Sequence, residues 1–213
     1  KETKVGIIPE DWEVIRLEEN CKKINVGFVG TCEKYYTNRH EGIPMLRTGN
    51  IKDGKIKFED LKYVTKEFHE KNGKSQINRG DILIARHGSN GEGALYDYDN
   101  AANSLNIVIV RPNKDAINTN YLYYQINSSN TKRQVLARTA GSTQGVINTK
   151  EIKKIRITKA NLIEQQKIAE ILSTWDEAIE LKEKLIEEKK EQKKGLMQKL
   201  LTGEVRLPGF DGE

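Results

Sequence analysis

Cysteine is scarce: Cys21 and Cys32 are the only two in 213 residues. They stand eleven apart with no paired His spacing, so no zinc-type ligand set forms and no metal site is expected. Two free thiols in a cytoplasmic protein is the plain reading. Long hydrophobic runs are missing as well. No apolar stretch approaches the ~20 residues that span a bilayer, and Lys1-Glu2-Thr3-Lys4 carries no apolar signal core. The common catalytic fingerprints are also absent. There is no G-x-x-x-x-G-K-[ST] phosphate loop. The glycine-rich Gly88–Gly93 segment leads into a strand-like Ala94-Leu95-Tyr96, where a nucleotide would need the N–H groups of a helix start. Neither an adenosylmethionine-binding glycine turn nor an Asn-Pro-Pro-aromatic tetrapeptide of amino-methyltransferases occurs. His40, His69 and His87 have no Ser or Cys partner at motif spacing. Asp81 with Glu151-Ile152-Lys153 imitates the acid set of a metal nuclease. Glu-x-Lys triplets arise by chance in so charged a chain, however, as at Glu187-Glu188-Lys189.

What the chain has is charge, unevenly placed. The net charge is +5. Residues 1–160 hold 27 Lys or Arg against 19 acids, a balance of +8, and residues 161–213 hold 9 against 12, a balance of −3. Lys132, Arg133, Arg138, Lys150, Lys153, Lys154, Arg156 and Lys159 face only Glu151. A basic globular part joined to a near-neutral appendage is suited to reading a polyanion.

The appendage is the clearest element. From Leu162 to Leu201 apolar residues recur in three- and four-residue steps, with Leu172, Ile179 and Ile186 each seven apart. The remaining positions are mostly Glu, Lys and Gln, which favour helix. Forty residues at 1.5 Å each make a rod of roughly 60 Å. The stripe weakens in the middle: Glu187 to Gly195 is almost wholly polar, and Lys182, Lys189 and Gln192 fall on positions that the pattern reserves for apolar side chains. Two arrangements bury the stripe: a helix lying on its own domain, or an antiparallel partner helix. The length and the second apolar cluster, Leu196 to Leu201, favour the partner. The seam is then Ile168, Ile171, Leu172, Trp175, Ile179, Leu185, Ile186, Leu196 and Leu200.

The rest reads as strands of irregular spacing with few helices. A short strand is expected from Trp12 to Leu17. Ile51-Lys52-Asp53-Gly54-Lys55-Ile56 predicts a hairpin, since Asp-Gly takes positive φ readily. Lys62–Thr65, the buried-looking Asp81–Arg86, Leu105–Val110 and Ile155–Ile157 are further strands, and Ile117–Leu136 reads as a helix. The fold class is therefore α+β, with a globular domain over 1–158 and a helical region over 159–213.

Three loops set a cation beside small donors and a flexible backbone: Arg47-Thr48-Gly49-Asn50, Arg86-His87-Gly88-Ser89-Asn90 and Arg138-Thr139-Ala140-Gly141-Ser142-Thr143-Gln144. Arg can bond guanine through two hydrogen bonds, Asn and Gln can do so for adenine, and Ser, Thr and Lys anchor phosphates. Arg47, Thr48, Asn50, Arg86, His87, Ser89, Asn90, Arg138, Thr139, Ser142, Thr143, Gln144 and Lys150 are the candidate DNA contacts. One such loop is an ordinary polar turn; three in one basic domain point to DNA.

Several segments resemble a known family. Gly6-Ile7-Ile8-Pro9-Glu10-Asp11-Trp12-Glu13-Val14, Gly80–Gly88, Gly141–Gln144, Glu164–Leu172 and Lys194–Gly203 are similar, in this order, to the specificity (S) subunit of type I restriction–modification systems. The last two segments together are the most specific. The resemblance implies a target-recognition domain followed by a helix that spaces and dimerises. Family members carry two of each, whereas this sequence matches one, which leaves a natural half-subunit or a truncated piece. It also implies partners: double-stranded DNA, methylation subunits that use S-adenosylmethionine, and a restriction subunit that uses ATP and Mg. The reading chain itself would hold no cofactor and perform no bond chemistry. A free-standing dimeric DNA-binding regulator or adaptor is the rival expectation.

Overall fold

The computed structural model describes residues 1–86, 91–139 and 148–210. The chain divides into two compact units, Lys1–Ala169 and Glu170–Glu213. In order, the elements are β1 (Glu2–Thr3), β2 (Gly6–Ile7), β3 (Glu13–Arg16), β4 (Cys21–Val26), β5 (Tyr36–Thr37), β6 (Ile43–Arg47), β7 (Ile51–Lys52), β8 (Lys55–Ile56), β9 (Lys62–Val64) and α1 (Lys66–Lys71). There follow β10 (Gln76–Ile77), β11 (Asp81–Ala85), β12 (Gly93–Tyr96), β13 (Ala102–Leu105), β14 (Ile107–Pro112), α2 (Thr119–Asn127), α3 (Ser129–Thr139), α4 (Thr149–Lys153), β15 (Arg156–Lys159) and α5 (Leu162–Leu201). The architecture is mixed α+β with a long C-terminal helix, as the sequence pattern indicated.

The first unit is built on an antiparallel sheet of order β12-β11-β14-β4 and a five-stranded sheet of order β10-β13-β6-β9-β5. In the register Ile82 pairs with Val110 and Ile84 with Val108. Alternate residues point to opposite faces. Ile82, Ile84, Val108 and Val110 join Tyr121, Leu122 and Ile126 of α2 in one core, while Leu83, Ala85, Ile107 and Ile109 join Leu46, Ala94 and Tyr96 in another. Both faces of β11 are covered, which is why its sequence is continuously apolar instead of alternating.

Two elements expected as single pieces are divided. The strand read as Leu105–Val110 breaks at Asn106, which takes a φ of +57°. Before it, β13 runs parallel to β6 in the larger sheet; after it, β14 runs antiparallel to β11 in the smaller one. Asn tolerates that left-handed backbone. The helix read over Ile117–Leu136 breaks at Ser128, which closes α2 at ψ 153° and whose Oγ accepts the Thr131 N–H at 3.3 Å to start α3. Helix capping overrode the apolar spacing there. The hairpin β7–β8 forms as expected, with Asp53 at φ +54° and Gly54 at φ +71°, as a type I′ turn requires.

The start of α5 belongs to the first unit. Gln165 and Ala169 are buried there, Ile168 packs on the core beside α2, and the Trp12 indole Nε1 donates to Glu164 at 3.2 Å. In the second unit α5 ends at a turn where Gly203 takes φ +73° and the Val205 N–H reaches the Lys199 carbonyl at 3.1 Å, an ordinary glycine stop. Among the described residues no helix is long and apolar enough to cross a membrane.

Candidate nucleic-acid interface

The segment from α3 to β15 holds the basic excess. Gln134 fastens it: its Nε2 donates to the Arg156 carbonyl at 2.7 Å and its Oε1 accepts the Arg156 N–H at 2.9 Å, so α3 lies along the open edge of β15. Asn148 caps α4 by accepting the Lys150 N–H at 3.0 Å. Val135 and Ile152 bury the inner sides of α3 and α4, which leaves their cations outward. Three are paired: Lys154 and Arg138 share Glu151 at 3.0 and 3.3 Å, and Lys132 lies 3.4 Å from Glu92. Arg133, Lys150, Lys153, Arg156 and Lys159 make no ion pair among the described residues, Lys159 donating instead to Asn20 Oδ1 at 3.0 Å. Five cations without an ion pair on one short stretch form a positive surface of the kind that holds phosphates.

The two carboxylates that imitated a nuclease set are both engaged. Asp81 is buried, and Arg111 grips it with Nε on Oδ1 and Nη2 on Oδ2, both at 2.7 Å, while the Asn78 N–H adds a third bond at 2.8 Å. The hydrogen bond to Asp81 pushes the Arg111 guanidinium further up. Glu151 sits below the usual carboxylate range, first because of its bond from Lys154. Among the described residues no group of three or more His, Cys, Asp or Glu could hold a metal ion.

The expected contact residues fall into different places. Asn50 is buried and commits its amide to backbone: Oδ1 accepts the Arg47 N–H at 2.9 Å and Nδ2 donates to the Lys57 and Glu59 carbonyls at 3.1 Å each. Arg47 turns its Nη2 to the Asp60 carbonyl at 2.7 Å, and the Thr48 hydroxyl reaches the Asn106 carbonyl at 3.3 Å. That loop therefore works as a brace for the β7–β8 hairpin. Arg138 likewise ties α3 to α4. Arg86, the residue after β11, is half-buried, with an Nε that is buried and has no partner among the described residues. Lys150 is exposed. His87, Ser89, Asn90, Ser142, Thr143 and Gln144 lie outside the described residues, as does the side chain of Thr139.

The expected seam divides as well. Ile168 is taken by the first unit's core, whereas Ile171, Leu172, Trp175, Ile179, Leu185, Ile186, Leu196 and Leu200 are exposed, Trp175 at 66%. Leu181, also exposed, was missed although it stands three residues after Ala178 and four before Leu185. So was an aromatic cleft around Phe58 and Tyr98, whose members lie too far apart in sequence to make a pattern.

The model of the type I restriction modification DNA specificity domain matches residues 9–191. The chain belongs to this family. Among its relatives is the protein assigned as the MjaX type I restriction enzyme specificity subunit of Methanocaldococcus jannaschii, 34% identical over 209 residues, 95% of this chain and 48% of the relative. The MjaVIII specificity subunit of the same organism is 30% identical over 219 residues, 99% of this chain and 50% of the relative. The chain thus spans about half the length of the curated relatives it matches. The crystal structure of the HsdS subunit from Thermoanaerobacter tengcongensis shares the fold, with a TM-score of 0.63 at 18% identity over 97% of this chain and 52% of that one.

Proposed function

We propose that this type I specificity chain is a sequence-specific DNA reader that recognises one half of a bipartite target. The globular part, residues 1–158, meets the duplex through the uncompensated cations of α3, α4 and β15. The helical part, residues 159–213, pairs with a second copy. The reading chain catalyses nothing. Methylation subunits carrying S-adenosylmethionine and a restriction subunit using ATP and Mg supply the chemistry, in the cytoplasm, on DNA that this chain selects.

The observation that carries the proposal is the family match together with this basic surface. The exposed apolar residues from Ile171 to Ile186 and again from Leu196 to Leu200 support the pairing, because a solvated helix rarely leaves so much apolar surface in water. An antiparallel two-fold pair is self-complementary and closed. It sets two identical globular parts at opposite ends, so the target is an interrupted palindrome whose unread gap the paired helices measure.

The test maps methylated adenines in cells that hold the methylation subunit with and without this chain. Methylation at a gapped, two-fold symmetric word that disappears with the chain is the expected outcome. An unchanged methylation map overturns the proposal and favours a free-standing regulator.

A further inference from the structure

A cleft of 510 Å³ opens in the first unit between β6, β9 and the turn that follows β12. Four aromatic rings line it: Phe58, Tyr63, Tyr96 and Tyr98. Phe58 and Tyr98 meet edge to face with centroids 4.9 Å apart and 84° between planes, and Tyr96 stands 5.3 Å from Tyr98. The Tyr96 hydroxyl donates to the Asn100 carbonyl at 2.7 Å, which fixes the turn carrying Tyr98. Yet Phe58 and Tyr98 remain 43% and 41% exposed, a large amount for rings already in contact with each other.

The charge of the lining narrows the occupant. Arg39 is its one charged side chain, no carboxylate lines it, and Arg39 makes no ion pair among the described residues. Exposed ring faces accept a flat aromatic group by stacking, a lone guanidinium accepts an anion, and the Asn100 side-chain amide can both donate to and accept from a ring edge. A plain apolar side chain would leave the guanidinium unused, and an aliphatic anion would leave the rings unused. One ligand that uses all three is a nucleotide.

We propose that this cleft binds a single unstacked deoxynucleotide, its base against Tyr98 and Phe58 and its phosphate on Arg39. The proposal rests on the reading of the chain as a DNA binder, and adds a site for a base drawn out of the duplex or lying in a single strand. Stacking on aromatic side chains suits such a base because every base has a flat face.

The experiment follows tyrosine NMR signals while the four deoxynucleoside 5′-monophosphates are titrated into the whole chain. Saturable shifts with a Kd on the order of 1 mM are expected, a weak affinity proper to one nucleotide. Tyr98→Ala weakens binding about fivefold or more. Arg39→Gln removes the advantage of the monophosphate over the bare nucleoside. Both side chains lie at the surface, and an unchanged thermal midpoint confirms that the variants are folded. No saturation with any of the four, or equal saturation in Tyr98→Ala, overturns the site. Duplex binding is measured on the same samples: duplex binding without nucleotide binding sinks the cleft alone, and loss of both sinks the DNA reading with it.

Discussion

The side chain of Gln165 accepts the backbone N–H of Asn118 through Oε1 at 2.8 Å, and its Nε2 donates to the Ala160 carbonyl at 2.7 Å. Asn118 in turn caps α2 by accepting the Tyr121 N–H at 3.0 Å. One amide on the first turns of α5 therefore ties the start of α2 to the end of β15. Gln165 is 0% exposed, so no water replaces either bond. Gln165→Leu should leave a buried donor and a buried acceptor unpaired at about 1–3 kcal/mol each. Urea denaturation reads this loss, and a change below about 0.5 kcal/mol would show the amide to be idle.

On the second unit, replacing Ile171, Trp175 and Ile179 with Ser, Gln and Ser should yield monomers by multi-angle light scattering. Each large side chain buried in a pair contributes very roughly 1.5–3 kcal/mol, so three removals exceed what a modest dimer can lose. The helix itself should survive, since the substitutes sit on an exposed face; circular dichroism checks that. Dimers of undiminished affinity would move the seam elsewhere.

Phosphate contacts and base contacts should separate by their salt response. Replacing Arg133, Lys150 and Lys153 by Ala should weaken duplex binding equally for all sequences and flatten the log–log salt slope by roughly 3, about 0.9 per lost contact. Arg86→Ala should instead flatten the ranking among sequences, costing about 1–3 kcal/mol on the preferred word. A salt slope that the triple variant leaves unmoved would release this surface from the DNA. An unaltered ranking in the single variant would release Arg86.

Burial pushes the Cys21 thiol from 9.0 up to about 12. Cys32 is buried, its Sγ 3.5 Å from the Tyr36 hydroxyl, and the hydrogen bond between them helps to push Tyr36 up to about 12. Cys21 should not react with a disulfide-exchange dye at about pH 8 until the chain unfolds, because the thiolate is the reactive species, and Cys32 should stay unlabelled because it is buried out of the dye's reach. The sign follows: with its folded value raised, Cys21 contributes its full stabilisation below pH 9.0 and loses it as pH rises from there towards 12. Rapid labelling of native protein would contradict this.

Local chemistry was the part of the fold legible in the sequence. The Asp53-Gly54 turn, the buried β11 and the forty-residue helix each rest on neighbours in the chain, and each was readable. The breaks at Asn106 and Ser128 were not, because a polar residue inside an apolar run announces a turn only when the sheets or helices beyond it have somewhere to go. The candidate site was legible as composition rather than as geometry. The density of cations between Lys132 and Lys159 was plain, but that Glu151 occupies two of them depends on α3 meeting α4. Asn50 looked like a base reader because its side chain can be one; only the paths of the Lys57 and Glu59 carbonyls show that its amide is already used.

Asn106 hands the chain from one sheet to the other within a single residue, so β13 and β14 cannot shift independently. The scaffold is thereby made stiff at its middle, while Arg133, Lys150, Lys153 and the rings of Phe58 and Tyr98 hang on its outside. Exchange of such outer side chains costs little folding energy. On the proposed reading, a lineage carrying this frame can retune how its surface engages DNA by altering a handful of external positions, and inherit the frame intact each time.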